Sequence, residues 1–266
     1  MTISLIVTTY NRPDALRLVL DSISRQSRLP DEVVVADDGS GDETRRLLEN
    51  TAAGFPVPLR HVWQEDKGFR AGTARNKAIA AASGEYIVQI DGDMVLHPRF
   101  VADHAAVARR GAFVLGSRVR LNEEWTRRYC RSGRFPSISI FSRAIYKGRE
   151  KAIRLPRFIG ERMSRRYHKG GSAIGCNMAY WRDDVIAVNG YDEHYHGWGC
   201  EDDDLSRRLS ASGLDSFKLF RIGLAYHLWH REEDRSNYKR SREYYLCRAA
   251  ENDFRCADGI DKYLKQ

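Results

Sequence analysis

The pattern that most constrains this chain lies in its first 117 residues. Short apolar runs alternate there with helix-like stripes, and the strongest runs each end in polar residues. Residues 3–8 (ISLIVT) form a near-continuous apolar run through Val7, broken only by Ser4, as in a strand buried on both faces. Leu16, Val19, Leu20 and Ile23 then mark one helix face, with Pro13 in the first turn. Residues 32–37 (EVVVAD) predict a second strand, and Asp42 is placed to cap a helix carrying Leu47 and Leu48. A short strand at 60–63, a helix over 73–83 ended by Gly84, and strands at 86–90 and 112–117 complete the series. This β-α-β-α-β order implies an α/β fold with a mainly parallel sheet and right-handed crossovers. Ligands of such sheets bind beyond the carboxyl ends of the strands. Those ends read Thr8-Thr9-Tyr10-Asn11, Asp37-Asp38-Gly39-Ser40 and Asp91-Gly92-Asp93.

The 266 residues suit one large domain, or one and a half, with a sizeable core. No apolar run approaches the roughly 18 residues that a membrane span needs. The first residues have no basic flank and turn polar at Thr8, unlike a signal peptide. The five cysteines are odd in number and form no CxxC, so neither a disulfide framework nor a zinc ribbon is expected, and a reducing, cytoplasmic setting fits.

The formal charge of +8 is local. Residues 118–169 hold 16 Lys and Arg against 4 Asp and Glu, which is 16 − 4 = +12, and the remaining residues sum to 28 − 32 = −4. A uniformly basic nucleic-acid binder is therefore not expected. Residues 1–117 read as a nucleotide-binding half. Residues 118–172, with seven interleaved aromatics and Gly170-Gly171 at the far end, read as a basic insertion or lid. Residues 173–235 form a motif-rich module, and 236–266 a polar helical tail, all in one continuous domain.

Asp91-Gly92-Asp93 closes a buried strand. Its two carboxylates can leave the strand end on one side, where Mn²⁺ or Mg²⁺ would bridge them to phosphate oxygens. A carboxylate of Asp37-Asp38 can accept from an imide N–H or a ribose hydroxyl. Lys67-Gly68-Phe69-Arg70-Ala71-Gly72, leading into Ala74-Arg75-Asn76, offers glycines, cations and a helix N-terminus to an anion. Residues 190–205 hold six acids and no Lys or Arg. Within them, four carboxylates in a row at 201–204 repel one another, and one of them can act as a general base near neutral pH. The glycines beside Trp198 would admit a flat substrate to the indole face. His227 and His230, three apart after a predicted strand at 217–222, are candidate partners for a metal at Asp93.

Taken in order, Thr8-Thr9-Tyr10-Asn11-Arg12, Asp37-Asp38-Gly39-Ser40, Ala74-Arg75-Asn76 and Asp91-Gly92-Asp93 resemble family 2 glycosyltransferases of the GT-A fold. The block from Asn177-Met178 through Asn189-Gly190-Tyr191-Asp192-Glu193 to Trp198-Gly199-Cys200-Glu201-Asp202-Asp203-Asp204 resembles the galactosyltransferase-like module of β-1,4-galactosyltransferases and chondroitin polymerases. The resemblance implies that Thr9, Tyr10 and Arg12 line a nucleotide pocket. Asp38 would contact uracil with Asp37 behind it, Arg75 would meet the base or diphosphate, and Asp91 would meet ribose or sugar. It further implies a metal at Asp93, His227 and His230, and a donor and acceptor pocket formed by Asn177, Trp198, Gly199, Glu201 and Asp203. Asp202 takes the place of the catalytic base. Cys200 departs from the glycine of the galactosyltransferases and narrows the space beside Trp198.

These roles imply an inverting, metal-dependent transfer of a hexose or N-acetylhexosamine from a UDP-sugar to a glycan or glycolipid hydroxyl. Bacterial lipopolysaccharide, capsule or other surface polysaccharide is the expected product. The basic segment 118–169 would engage a phosphorylated acceptor or the anionic inner face of the membrane. A nucleotidyltransferase is the alternative enzyme class, although it would want a Gly-rich loop with Lys after the first strand. A basic nucleic-acid-binding module is the alternative binding class, although it leaves the acidic run and the histidines without a role.

Overall fold

Every residue of Ile3–Thr9 is buried, and this strand, β1, lies inside a seven-stranded sheet. In the computed structural model, residues 1–166, 174–231, 234–251 and 253–264 are described. The other main-sheet strands are β2 (Glu32–Asp37), β3 (Leu59–Trp63), β4 (Tyr86–Asp91), β6 (Ala112–Leu115), β9 (Asn177–Trp181) and β10 (Asp215–Lys218). A second sheet comprises β5 (Met94–Leu96), β7 (Val119–Leu121), β8 (Ile145–Lys147) and β11 (Ala225–His227). The helices are α1 (Pro13–Ser24), α2 (Asp42–Ala52), α3 (Ala71–Ala81), α4 (Phe100–Val107), α5 (Glu123–Ser132), α6 (Arg157–Arg166), α7 (Arg182–Ala187), α8 (Glu201–Ala211) and α9 (Tyr238–Glu251). Among the described residues, no helix is long and apolar enough to cross a membrane.

The main sheet runs β10-β6-β9-β4-β1-β2-β3. β1 pairs in parallel with both β2 and β4, β2 with β3, and β6 with β10, while β9 is antiparallel between β4 and β6. The α/β, mainly parallel architecture is thus as expected. Parallel pairing brings the carboxyl ends of β1, β2 and β4 together, because Thr8 stands opposite Asp91 and Thr9 opposite Asp37. Gly92 lets the chain turn there. Its N–H donates to Thr8 O at 2.6 Å, and a Cβ at Gly92 would lie 3.0 Å from that oxygen.

Several local expectations shift. Asp42 opens α2 as its first helical residue, and Gly41 is the cap. The third helix covers 71–81 and is released by the extended backbone of Ala82. Gly84 is needed for close approach, since a Cβ there would lie 2.5 Å from Ser4 Oγ. The strand expected at 217–222 begins at Asp215 and stops at Lys218, before Arg221 takes a φ of +54°.

The basic segment is built into the fold. Val119, Leu121, Tyr129, Cys130, Ile138, Ala144 and Ile145 join the apolar cluster that holds β1 and α1. Trp125, Tyr129, Phe135 and Tyr226 form a chain of ring contacts at 5.9, 5.1 and 5.5 Å. Arg154 crosses to the fully buried Asp103 through two hydrogen bonds. Trp125, Tyr129 and Phe135 therefore pack a seam, Phe141, Tyr146 and Phe158 stay exposed, and β7 and β8 supply half of the second sheet. Gly170-Gly171 lies outside the described residues. In the tail, α9 is followed by a short 3-10 turn, Ile260–Tyr263, whose Ile260 is fully buried.

Candidate active site

Antiparallel pairing of β5 with β11 sets His227 opposite Met94, and Leu228 N–H donates to Asp93 O at 2.9 Å. That register delivers two imidazoles to one carboxylate. His227 Nε2 lies 3.7 Å from Asp93 Oδ1, and His230 Nε2 lies 3.5 Å from Oδ2. Ligand atoms of all three residues fall within 4.8 Å of one another. Asp93 Oδ1 is buried and has no hydrogen-bond partner, an orphan that a cation would satisfy. Burial, with Arg118 and the second histidine adding to it, pushes the His227 pKa down to about 4, against the pull of Asp93. Its imidazole is therefore neutral near pH 7, the form that ligates. His230 Nδ1 lies 2.7 Å from Arg231 O. A carbonyl only accepts, so the proton sits on Nδ1 and the Nε2 lone pair faces Asp93. Arg12 donates to Asp93 Oδ2 at 3.0 Å and to Trp229 O at 3.2 Å, so it braces the cluster. The donor set fits a divalent cation. Two imidazoles with one carboxylate suit Mn²⁺ better than Mg²⁺, which prefers oxygen alone.

Arg75 forms a second centre beside it. Its guanidinium is only 4% exposed and donates at 3.0 Å to Asp91 Oδ1, at 3.0 Å to Asp202 Oδ1 and at 3.2 Å to Thr8 Oγ1. It also lies 3.6 Å from Glu201 and 5.3 Å above the Tyr191 ring. Three of its five N–H donors are thus engaged within the protein, two of them on carboxylates. Asp91 is pushed up to about 6, chiefly by burial and against the pull of Arg75. Glu201 is held well above the usual carboxylate range by burial and then by the Asp202 charge. Asp202 Oδ2 accepts from Gly175 N–H at 2.7 Å, and Oδ1 also takes Tyr191 Oη–H at 3.3 Å. Three of about four lone-pair positions are filled, which leaves one on Oδ2. The side chain stays 20% exposed, so that position can face a ligand.

At the end of β2 the fully buried Asp37 accepts from Ser40 N–H and bonds His61 at 2.8 Å. Asp38 accepts from Gln64 at 2.6 Å and from Arg70 N–H at 2.7 Å. Burial raises its pKa. Thr9 is buried with its hydroxyl unpartnered, and Tyr10 is half exposed with its hydroxyl on Asp66. These groups stand together at the carboxyl ends of β1 and β2.

The model for Glycosyl transferase family 2 matches residues 4–188. The chain belongs to that family. A second model, described as N-terminal domain of galactosyltransferase, matches residues 157–231. A validoxylamine A glucosyltransferase of Streptomyces hygroscopicus subsp. limoneus is 31% identical over 222 residues, 80% of this chain and 48% of the relative. The chondroitin synthase of Escherichia coli is 24% identical over 85% of this chain and 34% of its own length. The chain spans about half the length of the two glucosyltransferases it matches. S. aureus TarS 1–349 in complex with UDP-GlcNAc superimposes with a TM-score of 0.66 at 19% identity, over 99% of this chain and 69% of that one. The mannosyltransferase PcManGT from Pyrobaculum calidifontis, in complex with GDP-Man and Mn²⁺, gives 0.62 at 18% identity, over 98% and 67%. At such identities the likeness speaks for the fold, which is GT-A.

Other expected site residues of this family 2 chain are placed differently. Asn177 is fully buried, bonded to His104, Ser117 O and Gly223 O, so it joins the two sheets and lines no pocket. Trp198 is covered by the start of the tail. Arg235 lies 4.6 Å from its ring and the Tyr238 ring 5.7 Å away. Gly199, at φ +108°, is where the Tyr238 ring comes close, and its N–H donates to Glu201 at 3.2 Å. A Cβ at Gly197 would lie 2.9 Å from Asn237 and one at Gly199 2.8 Å from Tyr238, so the tail borders both glycines, while Trp198 stays half-buried. Cys200 holds a φ of +74°, a conformation that glycine adopts without strain. Asp203 is half-buried. Asp204 is not exposed to any ligand. It is buried against Arg208, at 2.7 Å, which in turn donates to Val188 O and Gly190 O.

Two residues were missed. Tyr191, fully buried beneath Arg75 and bonded to Gln89 and Asp202, lay within a recognised block but received no role. Arg118 directly precedes β7 and donates to Cys176 Sγ at 3.1 Å, one residue from the Gly175 N–H that holds Asp202. Burial opposes its charge, while Cys176 and then Asp91 and Asp93 favour it, so its pKa is raised. Its position just past the predicted strand 112–117 was the available signal.

Proposed function

We propose that this chain moves a hexose or N-acetylhexosamine from a UDP-sugar to a glycan or glycolipid hydroxyl, with inversion at the anomeric carbon. The observation that carries the proposal is the adjacency of two centres, Asp93 with His227 and His230, and Asp91 with Arg75 and Asp202. Both stand at the strand ends where α/β sheets bind ligands.

Asp93, His227 and His230 would hold Mn²⁺, which when bound neutralises charge on a diphosphate. Thr9, Tyr10, Arg12 and Asp38 surround the nucleotide, and Asp38 keeps lone pairs free for an imide N–H. Asp37 and His61 fix the loop behind it. Arg75, which also orients Asp91 and Asp202, and Arg118 are the cations that would meet the diphosphate. Asp202 Oδ2 accepts the proton of the acceptor hydroxyl. The acceptor's hydroxyl oxygen, losing that proton, bonds the anomeric carbon from the face opposite the diphosphate, and the bond from carbon to diphosphate oxygen breaks. Trp198, Gly199, Glu201 and Asp203 border the sugar, with Trp198 reached when the Arg235–Tyr238 segment moves aside.

Surface polysaccharide assembly on the cytoplasmic side, in lipopolysaccharide or capsule, is the setting we favour. The similarity to a chondroitin synthase supports a glycan acceptor. The experiment is UDP release with Mn²⁺ against a panel of UDP-sugars. One donor should stand out and chelation should abolish its turnover. No UDP release from any donor, with or without glycan acceptors, would contradict the proposal.

A further inference from the structure

Phe141 is 84% exposed and Tyr146 73%, the two most exposed large apolar side chains among the described residues. They lie within one short stretch that also exposes Ile153. Arg143, Lys147, Arg149 and Lys151 stand exposed around them, with Glu150 the single acid between 141 and 153. Isolated exposed hydrophobics are ordinary, but apolar tips set among cations on one protrusion are not. The stretch is anchored. Ala144 and Ile145 are buried in the main core, and Arg149 donates to the carbonyl oxygens of Ile140, Ser142 and Ile145. Phe141 and Tyr146 flank these anchor points.

β8 is the edge of the second sheet. An exposed edge invites another strand, yet the cations here would oppose a second copy or a basic peptide. The charge asks for an anionic occupant. Residues 118–169 carry a net 16 − 4 = +12 while the remaining residues carry −4. The mixture of Phe and Tyr with Lys and Arg matches the interfacial layer of a bilayer, where rings sit at headgroup depth and long cations reach phosphates.

We propose that residues 141–153 dock this chain on an anionic lipid surface. The sheet register links that surface to the site. Met94 of β5, His227 of β11, Arg120 of β7 and Lys147 of β8 stand in one row across the four strands. Neighbouring strands are about 4.8 Å apart, so the docking edge lies roughly 10 Å from the strand of His227. An acceptor anchored in that surface is delivered to the reaction centre. This last step rests on the proposed transferase reading, whereas docking does not.

The test is co-sedimentation with vesicles of phosphatidylcholine alone and of phosphatidylcholine mixed with phosphatidylglycerol, at low and high salt. The wild-type chain should partition onto the anionic vesicles only. One basic residue near such a surface is worth about fivefold in partition, so Lys147→Glu with Lys151→Glu should lower binding by at least about 25-fold. Phe141→Ser with Tyr146→Ser leaves the charge unchanged and should lower binding by about tenfold or more. Thermal melts of both double variants should overlay the wild type. Equal binding to both vesicle types, binding to neither, or unchanged binding by either double variant would overturn the proposal. UDP release without vesicles is read separately; its failure, with docking intact, would remove the transferase reading and leave docking standing.

Discussion

Arg75 meets Asp202 at 3.0 Å and, through its other terminal nitrogen, meets Asp91 at the same distance. One buried guanidinium thus spaces the proposed base from the first carboxylate of the Asp-Gly-Asp turn. Removing it would leave Asp91, Glu201 and Asp202 facing one another without a counter-charge. Breaking a buried pair in this way typically costs about 3–5 kcal/mol. Arg75→Met should therefore lower the urea midpoint strongly. Arg75→Lys should recover only part of it, because an ammonium cannot reproduce the fork. A midpoint for Arg75→Met within experimental error of the wild type would contradict this role.

The metal assignment gives a separate expectation. His227→Ala and Asp93→Ala should each weaken Mn²⁺-dependent binding of UDP by at least about tenfold, as loss of a direct ligand does. Metal-free UDP binding should change little. Isothermal titration with and without Mn²⁺ reads both quantities, and Mn²⁺-dependent affinity retained in both variants would rule the cluster out.

The acidic run at 201–204 divides by burial. Asp204 is 1% exposed and pairs with Arg208, itself 1% exposed, so it holds α8 against the Val188–Gly190 turn. Asp204→Asn should cost several kcal/mol of stability, at the scale of about 3–5 for a broken buried pair. Turnover per folded molecule, measured well below the melting transition, should stay within a few-fold of wild type. A variant that is fully stable but inactive would reverse the assignment.

His104 sets an acid limit on stability. It is fully buried against Asn177, with Phe100 over its ring at 4.6 Å and the Asp103–Arg154 pair beside it. Burial pushes its pKa from 6.5 down to about 4. The folded state keeps it neutral while the unfolded chain takes up a proton below pH 6.5. The stabilisation is whole above that pH and is lost as pH falls toward 4, at most about 3 kcal/mol in total. His104→Gln can keep the bond to Asn177 without titrating. Its stability curve between pH 6.5 and 4 should be shallower than the wild type, and parallel slopes would count against the account.

Much of this was legible before the structure, because strand ends in a parallel sheet must converge. Thr9, Asp38, Asp91 and Asp93 each follow a buried apolar run, and period and polarity suffice to place them at one edge of the sheet. His227 and His230 were readable as a pair, but their arrival at Asp93 depends on the β5–β11 register, a long-range pairing that local pattern does not encode. Arg75 illustrates the opposite limit. A basic residue near a helix start reads as an anion site, and only tertiary packing shows that it also engages two protein carboxylates. The aromatics of 118–166 read as part of a basic insertion or lid, and local pattern does not separate Trp125, Tyr129 and Phe135, which close a core seam, from Phe141, Tyr146 and Phe158, which stay exposed. The contact of Trp198 with Arg235 and Tyr238 left no trace in local sequence, since it joins the loop before α8 to the tail.

The central claim is that Asp202 takes the acceptor proton beside a metal held by Asp93, and Asp202→Asn tests it most directly. Asparagine keeps the size of the side chain and can still accept a hydrogen bond, so UDP affinity with Mn²⁺ should stay within about threefold of wild type. Transfer should fall by about 10²–10⁴-fold, the scale of a lost general base. Turnover of Asp202→Asn close to that of the wild type, with the same donor and acceptor, would contradict the account.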